Sequence, residues 1–187
     1  GQRLTDMEFN FFFMLLINAG GDTTRNLVAG GMCVLMNHPE ERAKLEADPS
    51  LLPTAVEEML RYVSPVIAFV RTATRDTELR GVSMNSGDRV AMFYPSANRD
   101  ETHFADPDRF DIGRSPNNHL AFGGGGTHFC LGANLARAEA CALISEVLSR
   151  MKNMELAGPI KRTPSTTING IHSMPVRFTP ARPVAAR

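Results

Sequence analysis

Cys130 follows a run of four glycines, Gly123–Gly126, in the stretch "AFGGGGTHFCLG" (121–132), and a helix-forming run begins at once after it. The thiolate, not the thiol, is the metal ligand and nucleophile. Where a loop becomes a helix, the first helical amides and the positive end of the helix dipole are expected near the sulfur, and both favour thiolate. A side-chain-free backbone leading to such a thiolate suits a metal ligand beneath a broad, flat cofactor. The glycines alone leave other readings open. A phosphate loop needs Gly-Lys-Ser/Thr where Thr127-His128 stands, and the order strand, glycines, helix of a dinucleotide fingerprint does not fit the spacing. His128-x-Cys130 offers two zinc ligands but has no second pair. A plain flexible loop remains, as does the buried structural role common for an isolated cysteine. That last role suits Cys33 and Cys141, which sit inside helical patterns.

A second candidate is "AGGDTT" (19–24), in the middle of a long helical run. Two interior glycines cost a helix about 1 kcal/mol each relative to alanine. Thr23 and Thr24 can bond back to carbonyls one turn earlier, and such hydroxyls and glycine pairs bend helices. A bent turn carrying Asp22 and Thr23 makes a small polar pocket suited to oxygen binding and proton delivery. The alternative is close helix–helix packing at the glycines with Asp22 exposed. Glu58 and Arg61 share one helix face. They form either a surface pair contributing about 0–1 kcal/mol or, with Arg114 of "DPDRFDIGR" (106–114), a buried carboxylate cluster.

The elements that must position these residues follow from caps and breakers. Thr5-x-x-Glu8 is a capping box, predicting a helix from about Asp6 to Asn37 that His38-Pro39 stops. A short helix from Pro39 ends near Asp48-Pro49, and a third covers 53–63 with Thr54-x-x-Glu57 as its cap and Ser64-Pro65 as its end. The stretches 66–74, 77–81 and 89–94 read as strands separated by Gly81 and Ser86-Gly87. Residues 95–118 have no period, and long irregular stretches of this kind are usually functional. Residues 131–151 read as a strong helix, and the tail, with Pro159, Pro164, Gly170 and Pro175, as short hairpins.

Composition narrows the class. The chain has 187 residues, 43% apolar, with 20 basic against 20 acidic side chains. That is enough for one domain with a sizeable core, and the balanced charge argues against nucleic acid as a partner. The apolar run 9–20 is short for a membrane span of roughly 20 residues and lacks a signal-peptide pattern. Three cysteines without a CxxC pair make a disulfide framework improbable. The chain, which begins at Gly1 and not Met, reads as soluble and cytoplasmic.

Taken in order and spacing, these motifs resemble the cytochrome P450 family over essentially the whole chain. "AGGDTT" is similar to the oxygen-activation motif of its long central helix, Glu58-Met-Leu-Arg61 to its ExxR motif, and Arg114 to the third member of that network. "FGGGGTHFCLG" is similar to its haem-binding loop, with Cys130 as axial thiolate. The resemblance implies a mainly α fold with small β-sheets and a haem b (iron protoporphyrin IX) cofactor. The implied reaction is a monooxygenation that puts one atom of O₂ into a C–H bond and the other into water. Electrons would come from a ferredoxin and ferredoxin reductase. It further implies proton delivery by Asp22 and Thr23, and haem contacts from Phe122, Gly124 and Gly132. Arg71 and His128 would hold the propionates, Ala19, Val66, Phe69 and Ile171 would line a substrate pocket, and Glu58, Arg61 and Arg114 would brace the proximal side.

Two departures carry information. Phe122 lies eight residues before Cys130, where the family usually has seven. That extra residue, with "SPVIAFVRTATRD" (64–76) and "INGIHSMPV" (168–176), resembles a subset of actinobacterial members acting on steroids and methyl-branched lipids. Family members are also more than twice as long. The resemblance therefore implies that residues 1–187 are a partial domain running from the oxygen-binding helix to the carboxy terminus, inactive without the amino-terminal half. Two alternatives stand beside this. One is a haem-thiolate isomerase or dehydratase, against which Asp22-Thr23 counts; the other is a non-catalytic or truncated haem-binding fragment.

Overall fold

The computed structural model describes residues 3–181. Helix α1 (Asp6–Asn37) opens on the expected capping box: the Glu8 amide donates to Thr5 Oγ1 at 3.3 Å, and the Thr5 amide donates to the Glu8 carboxylate at 2.8 Å. It stops at His38, and α2 (Pro39–Ala47) starts on the proline that ended it. A 3₁₀ turn (Pro49–Leu51) leads into α3 (Leu52–Val63). The cap expected at Thr54 is not made. Thr54 Oγ1 donates to the Leu51 carbonyl at 2.8 Å, and the helix begins at Leu52, one residue before the expected start. Pro53 explains the shift, since proline in a first turn has its φ preset and no amide to cap.

Four two-stranded antiparallel sheets decorate this helical frame among the described residues. Strand β1 (Ala68–Thr72) pairs with β4 (Arg89–Phe93), and β2 (Thr77–Leu79) with β3 (Val82–Met84). Sequence patterning does not reveal β3. Its hairpin is a two-residue turn with φ of 51° at Arg80 and 80° at Gly81, the positive-φ pair that matches strand twist. A short helix, α4 (Tyr94–Ala97), occupies the start of the stretch 95–118 expected to be irregular, and α5 (Ala133–Arg150) follows that stretch with Gly132 as N-cap. Strand β5 (Met151–Leu156) pairs with β8 (Val176–Pro180), and β6 (Lys161–Arg162) with β7 (Ile171–Ser173).

The core lies between the carboxy-terminal half of α1, α3 and α5, where Leu27, Leu35, Val56, Met59 and Ile144 are buried. Close approach of α1 to α3 requires glycine: a Cβ on Gly30 would lie 2.5 Å from Val63 Cγ1, and one on Gly31 2.6 Å from the Met59 sulfur. The amino-terminal half of α1 is the opposite. Its large apolar side chains from Met7 to Ile17 are 43–68% exposed. No helix among the described residues is long and apolar enough to cross a membrane.

Candidate haem-thiolate site

The cysteine loop is held by its own backbone. The Gly123 amide donates to the Leu120 carbonyl (2.9 Å), the Phe129 amide to Gly126 (3.1 Å), and the Cys130 amide to Phe122 (3.0 Å). These bonds turn the chain through φ of 92°, 95° and 75° at Gly123, Gly125 and Gly126, where any side chain would be strained. A Cβ on Gly125 or Gly126 would meet nothing within 4 Å. Within the described fold those glycines therefore answer to backbone conformation, not crowding.

Cys130 is exposed, and its neighbours Phe129 and Leu131 are 48% and 81% exposed. One expectation needs correction. The helix starts at Ala133, and the Ala133 amide donates to the Cys130 carbonyl at 3.2 Å, not to the sulfur. Cys130 thus precedes the cap by two residues, because Gly132 takes the N-cap position. The other thiols are different in kind: burial pushes both Cys33 and Cys141 up, disfavouring their thiolates. Among the described residues no three His, Cys, Asp or Glu side chains converge on a metal position. A lone exposed sulfur amid exposed apolar side chains fits a flat, apolar macrocycle that brings the metal's other ligands with it.

Glu58 and Arg61 are not a surface pair. Both side chains are fully buried, bonded in parallel through Arg61 Nε (2.8 Å) and Nη2 (2.7 Å). Arg61 also donates to the carbonyls of Asn98, Pro107 and Arg109, while Glu58 accepts from Arg114 Nε (3.1 Å), Asn117 Nδ2 (3.1 Å) and the Asp111 amide (3.0 Å). Arg114 in turn donates to Ala105, Asp106 and Arg109. The irregular stretch 95–118 is fastened to α3 chiefly through this buried pair, Arg61 holding its carbonyls and Glu58 its donors. A fully bonded buried pair of this type resists the loss of either partner.

The adjacent Glu57 forms a second cluster that sequence reasoning passes over. It accepts from Arg137 of α5 at 2.6 and 2.8 Å and from His119 Nε2 at 3.1 Å. Burial alone would raise this carboxyl, but hydrogen bonds and charge from Arg137 and His119 outweigh it and hold the pKa at about 2. The available signal was two adjacent acids on a helix that otherwise packs into the core.

On α1, Thr23 Oγ1 donates to the Ala19 carbonyl at 2.8 Å, the expected back-bond. Asp22 is exposed and pairs with Arg25 at 2.7 Å. The helix stays continuous through Gly20-Gly21. Among the described residues no helix packs on that pair, since a Cβ on either glycine would meet nothing within 4 Å. The pair instead borders a cavity of about 460 Å³ between α1 and α5, with Thr24, Val28, Glu139 and Leu143. Asn26, buried, donates to the Asp22 carbonyl (2.9 Å) and accepts from the Ile171 amide (3.1 Å), which ties β7 to this turn.

The remaining expected residues are scattered more widely. Val66 bridges to Ile168, and Phe69 meets Tyr94 edge to face at 6.0 Å. Arg71 lies exposed on β1, its guanidinium 3.2 Å from the Val70 carbonyl, and His128 is exposed in the cysteine loop. A Cβ on Gly124 would sit 4.0 Å from Leu120, and one on Gly132 4.0 Å from the Cys130 sulfur. The structure joins Phe122 to Cys130, Glu58 to Arg61 and Arg114, and Ile171 to α1. No hydrogen bond ties the side chains of Arg71 or His128 to another expected residue among those described.

Comparison with known proteins accords with this architecture. The profile described as Cytochrome P450 matches residues 1–166. The chain belongs to the cytochrome P450 family. It is 48% identical over 180 residues to a methyl-branched lipid omega-hydroxylase of Mycobacterium tuberculosis, covering 96% of this chain and 42% of that protein. It is 45% identical over 188 residues to a steroid C26-monooxygenase of Mycolicibacterium smegmatis, covering 100% of this chain and 47% of that protein. Among solved structures, P450BioI in complex with a hexadecenoic acid-ligated acyl carrier protein superposes with a TM-score of 0.92 at 42% identity, over 96% of this chain and 47% of that one. CYP109E1 from Bacillus megaterium in complex with testosterone gives 0.90 at 40% identity, over 95% and 49%. The chain therefore spans about half or less of the relatives it matches.

Proposed function

We propose that this chain supplies the haem-binding and oxygen-activating portion of a monooxygenase that hydroxylates a bulky, apolar substrate of steroid or branched-lipid type. The observation that carries this reading is Cys130, exposed among apolar side chains at the end of a glycine-turned loop. Haem b bound there would supply O₂ binding and the redox chemistry that oxidises a C–H bond. Cys130 would hold the iron; Phe122, Gly124 and Gly132 would shape the loop around the haem, and Arg71 and His128 would hold its propionates by charge-assisted hydrogen bonds. Thr23 and Asp22 move protons: the Thr23 hydroxyl, already donating to Ala19, can pass a proton on as it takes one. Ala19, Val66, Phe69 and Ile171 give the substrate an apolar wall, and Glu58, Arg61 and Arg114 brace the proximal side.

Two electrons come from a ferredoxin and its reductase in the cytoplasm. Relatives named for lipid and steroid oxidation support the substrate class. The long exposed apolar face of α1 supports a second reading for residues 1–187 by themselves: haem binding without turnover unless further polypeptide covers that face. Titrating the intact protein with a panel of steroids and branched fatty acids tests the substrate class. A substrate-induced shift of the haem band with members of the panel, and none with small polar aromatics, is expected; the reverse pattern overturns it.

A further inference from the structure

Glu57 reaches out of α3 in two directions, and the two partners bracket the cysteine loop. His119 precedes the loop and Arg137 follows it on α5, both bonded to the same carboxylate. The Ala121 amide donates to His119 Nδ1 at 3.2 Å, so the network places the imidazole proton on Nε2, where it points to Glu57. Between the two partners lies Phe122. The Arg137 guanidinium sits 4.5 Å from the centre of its ring, and the His119 ring lies 6.1 Å from it. The Phe122 carbonyl then accepts the Cys130 amide at 3.0 Å. A continuous set of contacts therefore leads from an acid on α3 to the amide of the cysteine. The loop it crosses is the most glycine-rich segment of the chain, and its own backbone bonds fix its turn but not its place against α3 and α5, which these side chains supply.

We propose that Glu57 is a positioning residue: through Arg137, His119 and Phe122 it fixes where Cys130 presents its sulfur, a task separate from that of the Glu58–Arg61 pair, which fastens residues 98–117. The proposal rests on Cys130 being the iron ligand. Planar, bidentate Arg–carboxylate bonding fixes orientation as well as distance, and the cation over the Phe122 ring adds a contact that lysine reproduces poorly.

The test uses haem-loaded intact protein as wild type, Glu57→Ala, Glu57→Gln, Arg137→Lys and the control Glu155→Gln, which removes only the exposed pair with Arg177. Amide hydrogen exchange is followed segment by segment, together with the absorption of the reduced carbon monoxide complex. In Glu57→Ala, exchange across 119–132 is expected to quicken roughly tenfold or more while residues 98–114 and α3 keep wild-type rates. The red-shifted thiolate band should lose amplitude to the neutral-sulfur form. Glu57→Gln and Arg137→Lys should fall between, and the control should match wild type. If Glu57→Ala does not fold, the two conservative variants decide: exchange across 119–132 faster than wild type, with 98–114 unchanged, supports the proposal, and wild-type exchange in both overturns it. Unchanged loop exchange, or exchange that quickens equally everywhere, overturns the proposal. A wild-type protein without the red-shifted band would instead overturn the ligand assignment, and the loop exchange rates would still report on the clamp.

Discussion

Gly20-Gly21 and Gly30-Gly31 are the same dipeptide on one helix, and they do opposite things. The second pair is where α1 touches α3: added methyl groups would overlap Val63 and Met59. The first pair touches nothing within 4 Å in the described fold and borders the cavity beside Thr24. One glycine pair is explained by packing; on the other, nothing packs among the described residues. The contrast extends to the helix as a whole, since its carboxy-terminal half is buried against α3 and α5 while its amino-terminal half is exposed and apolar. The buried half and the exposed half of the helix meet near Asp22-Thr23.

The largest effect should come from the packed side. Glu58→Ala leaves Arg61 buried without its carboxylate, and chemical denaturation of the intact protein should show a loss of about 3–5 kcal/mol. A loss below about 1 kcal/mol would mean the pair behaves as a surface contact. Next is Gly31→Ala, expected to cost about 1–3 kcal/mol by overpacking against Met59. A neutral result there would erase the contrast between the two glycine pairs.

Smaller again is a pH effect at Glu57, which is partly exposed. Its folded pKa, about 2, lies below the ordinary 4.5. The unfolded chain therefore binds the proton more readily. The stabilisation is fully present above pH 4.5, fades as pH falls, and is lost below about 2. Acid titration of wild type against Glu57→Gln should show the wild type losing its advantage across that window. The smallest stability effect belongs to Gly20→Ala, which should leave stability unchanged or raise it by about 0.5–1 kcal/mol. It should nevertheless lower the yield of product per electron consumed, as Thr23→Ala should. A destabilised Gly20→Ala would show that the first pair also serves packing.

Helix boundaries were legible because caps and prolines are local signals: α1 ends where His38-Pro39 predicted, and Thr5 caps it. The site motifs were legible as spacing. Their burial was not. Nothing in Glu58-x-x-Arg61 tells a surface pair from a sealed one, because the carbonyls that satisfy Arg61 come from Asn98, Pro107 and Arg109, remote in sequence. Glu57, expected as the partner of a Thr54 cap, bonds instead to His119 and Arg137, and this was illegible for the same reason, its partners lying on a loop and on α5. The Thr54 cap failed because Pro53 let the helix begin earlier, and β3 was missed because Arg80 accepts a positive φ that composition does not advertise.

The central claim is that Cys130, alone of three cysteines, holds the haem iron as a thiolate. The direct measurement is the absorption of the reduced carbon monoxide complex in Cys130→Ser, Cys33→Ser and Cys141→Ser forms of the intact protein. The account predicts that the red-shifted thiolate band vanishes in Cys130→Ser and persists in the other two. Persistence of the band in Cys130→Ser would contradict it.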